Sequence, residues 1–254
     1  MSRKTFLLIY ILIFSVLAVK GQRWKLLRYD VSGGIGTSHY FGDIGSYSGR
    51  DFENLFGLRD IDILGTRPSG FVGFRYRMKD RWSVKGNLVL GFFTGNDERG
   101  EYPHRQYQFN TLIVEPSAQL EFYLIKENMI RSYRFLTRGG VAGIKRRINL
   151  YVFGGAGGVY YKTYPQGLLD DPEHGRFKEP STPFTVAMIG GMGLKYSLTR
   201  RTAVGIEGGA RLAASDYMDG FAPPASAVPD MYFLGNISFV YKLRTLRNGL
   251  PSFR

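Results

Sequence analysis

Residues 81–94 read Arg-Trp-Ser-Val-Lys-Gly-Asn-Leu-Val-Leu-Gly-Phe-Phe-Thr, with Trp82, Val84, Leu88, Leu90 and Phe92 on one parity and Ser83, Lys85, Asn87 and Gly91 on the other. Successive side chains of an extended strand point to opposite faces, so a period of two writes one apolar face and one small or ionisable face. The segment from Gln108 to Leu124 repeats the pattern. It places Leu112, Val114, Ala118, Leu120, Phe122 and Leu124 against Glu115, Ser117, Gln119 and Glu121. If the apolar parity meets lipid, the ionisable parity must face a lumen, because a charge aimed at mid-bilayer costs roughly 2–4 kcal/mol.

Six further segments follow the same rule: Leu26 to Ser38, Gly70 to Met78, Leu150 to Tyr161, Thr185 to Leu198, Ala203 to Ser215 and Met231 to Leu243. About 10 residues of tilted strand cross a hydrocarbon layer. Lipid offers no hydrogen bonds, so an open edge is excluded and the sheet must close. The expected fold is all-β, an eight-stranded antiparallel transmembrane β-barrel of the outer membrane. A water-soluble barrel or sandwich would explain the alternation, but less readily the outward aromatics opposite a charged face.

Arg28, Asp30, Arg75, Lys85, Glu115, Glu121, Lys195, Glu207, Arg211 and Lys242 all fall on the inward parity. Eight strands enclose a lumen that side chains fill. These charges are expected to pair across it as a plug, which argues against a channel. Glycines inside the strands, such as Gly33, Gly34 and Gly36, relieve crowding in so narrow a barrel and let the sheet coil. Gly33-Gly34-Ile35-Gly36 is not read as a nucleotide loop, since no helix follows it.

Residues 1–21 read as a secretory leader, with Arg3 and Lys4 ahead of an apolar run from Phe6 to Val19, and Val19 and Gly21 near the cleavage site. The run falls short of the roughly 20 residues that a retained anchor needs. The expected division is therefore leader 1–21, barrel 22–243 and a basic periplasmic tail 244–254. The chain has no cysteine, which excludes disulfide staples, thiolate metal sites and a lipobox.

Long links at 39–69, 95–107, 162–184 and 216–230 alternate with short ones at 79–80 and 199–202. With both termini periplasmic, the long links become extracellular loops. Tyr40, Trp82, Phe92, Phe93, Tyr160, Tyr161, Tyr196 and Tyr241 lie near strand ends, where girdle aromatics meet headgroups. The exception is the link 125–149, long yet periplasmic, which carries Lys126, Arg131, Arg134, Arg138, Lys145, Arg146 and Arg147 against the single acid Glu127. Past the last strand come Arg244, Arg247 and Arg254 with no acid. Two basic segments on one rim would anchor it to anionic groups or form a docking surface for a periplasmic partner. Nucleic acid is not expected in that compartment.

Catalysis and cofactor binding find little support. His39, His104 and His174 lie in or beside outer loops, and His39 with Asp43 and Ser38 has no nucleophile motif around it. Asp97 with Glu98, and Asp170, Asp171 with Glu173, lack the oxygen spacing of a calcium loop. No catalytic, cofactor or metal site is assigned. Phe52, Leu55, Phe56, Leu58 and Phe221 in the outer links could meet an extracellular ligand, through loops 39–69 and 162–184 above all.

The run Arg28-Tyr29-Asp30-Val31-Ser32-Gly33-Gly34-Ile35-Gly36-Thr37-Ser38-His39-Tyr40-Phe41-Gly42-Asp43, followed by Arg67-Pro68-Ser69-Gly70-Phe71-Val72-Gly73-Phe74-Arg75-Tyr76-Arg77, resembles the start of the Bacteroidetes outer-membrane barrels of the DUF6089 family. Its best known members resemble the PorG component of the type IX secretion system. The resemblance implies a non-enzymatic envelope component contacting periplasmic secretion-ring proteins. It supplies no catalytic motif. One departure is that Phe239 and Tyr241 lie well before the end of the chain, where many barrels place a terminal aromatic for assembly. The competing class is a stand-alone structural or adhesive barrel.

Overall fold

The computed structural model describes residues 23–41, 44, 66–97, 104, 106–129, 144–171, 177, 182–215, 217–221, 230–246 and 248–252. The expected leader lies outside these residues. The long strands are β1 (Tyr29–Phe41), β2 (Arg67–Arg77), β3 (Trp82–Asn96), β4 (Tyr107–Ile125), β7 (Ile148–Gly167), β8 (Phe184–Ser197), β9 (Thr202–Ala213) and β10 (Met231–Thr245). Two small ladders complete the set: β5 (Asn128–Met129) pairs with β6 (Ile144–Arg146), and β11 (Pro251–Ser252) pairs with the end of β10.

Each long strand pairs antiparallel with its neighbour, and β1 closes on β10 from Tyr29↔Leu243 to Phe41↔Met231. The result is a closed eight-stranded antiparallel barrel with no free edge among these strands. Its outer face is apolar all round: Ile35, Val72, Leu88, Leu90, Met188, Met192, Ile206 and Ile237 are exposed. An apolar surface on every side is rare on a water-soluble monomer. With every long strand paired on both sides, the barrel meets the requirement for crossing lipid.

The belt has readable limits. On β3 the outward positions run Trp82, Val84, Gly86, Leu88, Leu90 and Phe92, then turn polar at Thr94 and Asn96. At the upper limit Leu90, Val114, Tyr160 and Phe184 stand in register, and the Tyr160 and Phe184 rings lie 4.8 Å apart. At the lower limit the Trp82 and Phe122 rings also lie 4.8 Å apart. That stretch of β3 matches the about 10 residues that a tilted crossing needs. Tyr196 and Tyr241 are exposed near the lower ends of β8 and β10.

Three aromatics assigned to the girdle from sequence are corrected. Phe93 and Tyr161 are buried, and Tyr40 packs against the same interior cluster. Neighbours in a strand face opposite ways, so of Phe92 and Phe93, or Tyr160 and Tyr161, only one of each can meet lipid. The links are corrected as well. β4 and β7, of 19 and 20 residues, pair as far as Tyr107↔Gly167, so 162–167 is strand and the hairpin projects beyond the belt. Inside this extension Phe93, Phe109, Ile113, Val159 and Tyr161 form an apolar core, closed from the loops by Ile44, Leu169, Met218 and Phe221. Phe221, expected on the outside, is thus part of the plug of the upper mouth; Phe52, Leu55, Phe56 and Leu58 lie outside the described residues.

Candidate functional site: a salt-bridged lumen and a basic rim

The inward parity of β1, β2, β3, β4, β8 and β9 delivers Asp30, Arg75, Lys85, Glu121, Lys195 and Glu207 to one level of the lumen, all buried. Arg75 is the hub. Its Nε donates to both oxygens of Glu121 at 2.9 and 2.7 Å, its Nη2 lies 3.2 Å from Glu207 Oε1 and its Nη1 3.5 Å from Asp30 Oδ2. Lys85 Nζ donates to Glu207 Oε2 at 2.5 Å. β3 and β9 stand on opposite sides of the barrel, so that bond crosses the lumen. Lys195 Nζ donates to the Tyr123 hydroxyl at 2.8 Å and lies 3.7 Å from Asp30 Oδ2, while the Tyr151 hydroxyl donates to Glu207.

Three cations and three carboxylates, all buried, therefore neutralise one another. Each charge is expensive to bury alone and tolerable only with its partners in place. Above this layer Arg211 Nε lies 3.6 Å from Glu115 Oε2, which accepts from the Tyr232 hydroxyl at 2.7 Å. Arg28 is the exception and a correction to the expected lumenal set. It precedes β1, is half-buried, and its guanidinium lies 5.4 Å from the Tyr76 ring centroid. Tyr76 is on the outward parity of β2, so Arg28 belongs to the rim.

The lower mouth is closed by a residue that sequence reasoning left as a lone acid. Glu127 follows β4, and its carboxylate enters the barrel end to accept from Lys242 Nζ at 2.7 and 2.5 Å and from the Ser197 hydroxyl. Its backbone N–H donates to Asn149 Oδ1 at 2.8 Å, and Arg77 Nη2 lies 4.0 Å away. Burial raises the Glu127 carboxyl. The Lys242 ammonium, the hydrogen bonds from Lys242 and Ser197 and the charge of Arg77 outweigh that and hold it below its ordinary 4.5. The one sequence signal was its isolation, a single acid next to a strand end in a stretch of bases.

With Glu127 turned inward, every other charged residue of 125–149 is basic. Lys126 pairs with Asp80 of the β2–β3 turn. Arg147 and Arg244 are exposed; Lys145 and Arg146 lie in β6, described by its backbone alone. Arg131, Arg134, Arg138 and Arg247 lie outside the described residues. Of Ser38, His39 and Asp43, to which the sequence assigns no catalytic role, the first two are described. The Ser38 hydroxyl donates to the carbonyls of Arg67 and Phe92, His39 is buried, and Asp43 and His174 lie outside the described residues. His104 is exposed. Glu98 and Glu173 also lie outside, Asp97 is buried and Asp170 exposed.

The chain is similar to Ail, the attachment invasion locus protein of Yersinia pestis, crystallised with a heparin analogue (11% identity, 85% of this chain and 98% of that chain, TM-score 0.43). It is also similar to the outer membrane protein OprG of Pseudomonas aeruginosa (12% identity, 85% and 96%, TM-score 0.44) and to Neisserial surface protein A (9% identity, 84% and 96%, TM-score 0.43). No curated protein matches it in sequence. The family described as "Domain of unknown function (DUF6089)" matches residues 3–241, nearly the whole chain, and this protein belongs to that family.

Proposed function

We propose that this protein is a non-enzymatic outer-membrane barrel that supports protein secretion, as part of a type IX system, by docking to a periplasmic ring complex through its lower rim. The observation that carries the reading is the fate of Glu127. Its charge is spent inside the barrel on Lys242, so the link that bears it offers a partner one sign of charge. A surface of one sign steers and orients an acidic partner. The lumen supports the same direction, since salt bridges cross it and loop side chains close its top, leaving the protein its rims to work with.

The docking surface proposed is Arg131, Arg134, Arg138, Lys145, Arg146 and Arg147, flanked by Arg244 and Arg247. Both chain termini share its periplasmic side. Replacing Arg134, Arg138, Lys145, Arg146 and Arg147 by Ser should reduce recovery of ring proteins in crosslinked pull-downs from intact outer membranes severalfold, while barrel insertion is unchanged. Unchanged recovery at moderate salt would refute the docking surface. The β4–β7 pair, whose upper ends project beyond the belt, favours the competing reading of a stand-alone ligand-binding barrel. Recovery of extracellular ligands alone, with normal export in a deletion strain, would select it.

A further inference from the structure

The second basic segment is built differently from the first. Past Lys242 the chain turns back at 246–250, with Leu246 N–H donating to Leu250 O at 2.9 Å and Gly249 N–H to Leu246 O at 3.0 Å. Gly249 has φ +83°, a left-handed conformation that glycine adopts without strain. β11 then pairs back on β10 through Arg244↔Ser252 and Thr245↔Pro251. The segment is a built hairpin rather than a loose basic tail.

Its position is fixed by contacts to the outside of the barrel. Tyr29 is on the outward parity, its ring 5.1 Å from Tyr76 and 5.9 Å from the exposed Phe74, and its hydroxyl donates to Gly249 O at 2.9 Å. Arg28 N–H donates to Thr245 Oγ1 at 3.1 Å. Leu243 stands opposite Tyr29 on the lipid-facing parity, yet it is 4% exposed where Tyr241 is 39% exposed. The hairpin therefore lies against the outer wall at the lower girdle.

Three large apolar side chains at this place are about half or more exposed: Leu246 at 49%, Leu250 at 58% and, on the 3₁₀ turn Arg23–Leu26 beside β10, Leu26 at 62%. Lys25 and Arg244 are exposed close by in the chain. Apolar side chains next to cations suit one occupant, a phospholipid leaflet with its acyl boundary above and anionic headgroups beside. The surface is continuous with the belt that already meets lipid. We infer that the C-terminal hairpin, with the 3₁₀ turn, is a lipid-interface foot, seating Leu26, Leu246 and Leu250 in the leaflet on the side of the termini. This concerns the other basic segment and stands whether or not the link 125–149 docks a partner.

The chain has no cysteine, so Leu250→Cys and, separately, Leu246→Cys give single labelling sites in the full protein. Each is labelled with an environment-sensitive dye and the barrel folded into phosphatidylcholine vesicles containing some phosphatidylglycerol. Arg200→Cys, in the exposed β8–β9 turn on the same rim, is the reference. Both tail labels should emit blue-shifted from the reference and be quenched severalfold more strongly by lipid bearing a nitroxide near the headgroup. Retention of the heat-resistant gel mobility of the folded barrel shows that labelling left it intact. Emission and quenching at both tail sites equal to those at Arg200→Cys, in folded barrels, would overturn the inference and leave the leucines to a protein partner.

Discussion

Replacing Arg75 by Met should destabilise the barrel by about 3–5 kcal/mol, the range for removing one partner of a buried ion pair. Arg75 is 1% exposed, and Met occupies much of its stem volume, so the loss is mainly electrostatic. It falls unevenly. Glu207 keeps Lys85 at 2.5 Å and Asp30 keeps Lys195 at 3.7 Å, but Glu121 loses both bonds from Arg75 Nε and retains the Tyr123 hydroxyl at 3.1 Å. Adding Glu121→Gln leaves Asp30 and Glu207 against Lys85 and Lys195, which restores neutrality. The double variant should therefore be more stable than the sum of the two single changes predicts, by on the order of 2 kcal/mol. Urea unfolding of the protein folded into lipid, followed by tryptophan fluorescence and gel mobility, measures all four corners of the cycle. An Arg75→Met variant within about 1 kcal/mol of the parent, or strictly additive changes, would refute the hub role.

Glu127 predicts a pH dependence confined to the lower mouth. Its folded pKa is depressed below the ordinary 4.5, so its contribution is present above that value and lost as pH falls through the folded value. Hydrogen exchange corrected for intrinsic rates should show the Glu127 N–H, bonded to Asn149, losing protection in acid before the barrel strands do, and Glu127→Gln should abolish that dependence. Glycine substitutions should divide sharply. A Cβ on Gly155 would lie 2.1 Å from Ala118 O and 2.8 Å from Gln119 Cα, so Gly155→Ala should cost about 1–3 kcal/mol in urea unfolding as backbone is forced apart. At Gly190 a Cβ meets nothing within 4 Å, and Gly190→Ala should leave the unfolding midpoint near that of the parent.

The period of two by itself determined the closed barrel and placed its eight strands, because in a sheet with lipid on one side a slip of one residue would turn every charge outward. The limits Arg81 to Thr94 and Trp82–Asn96 differ by a residue or two, while Leu150 to Tyr161 stops six residues short of the end of Ile148–Gly167. Parity also places Asp30, Glu121 and Glu207 on the face where the structure buries them, and it was parity, wrongly set aside in favour of nearness to a strand end, that could have separated Phe93 and Tyr161 from the girdle. What the alternation could not contain is which charge meets which across the lumen. The bond from Lys85 to Glu207 joins residues 122 apart in sequence, and its distance depends on barrel diameter and stagger. Nor could it tell that Glu127 turns into the mouth, that Met218 and Phe221 fold down as a lid, or that the chain beyond Lys242 doubles back over Leu243. Links have no repeating face, so their side chains take their place from what the closed barrel leaves open. Only the tertiary structure decides that.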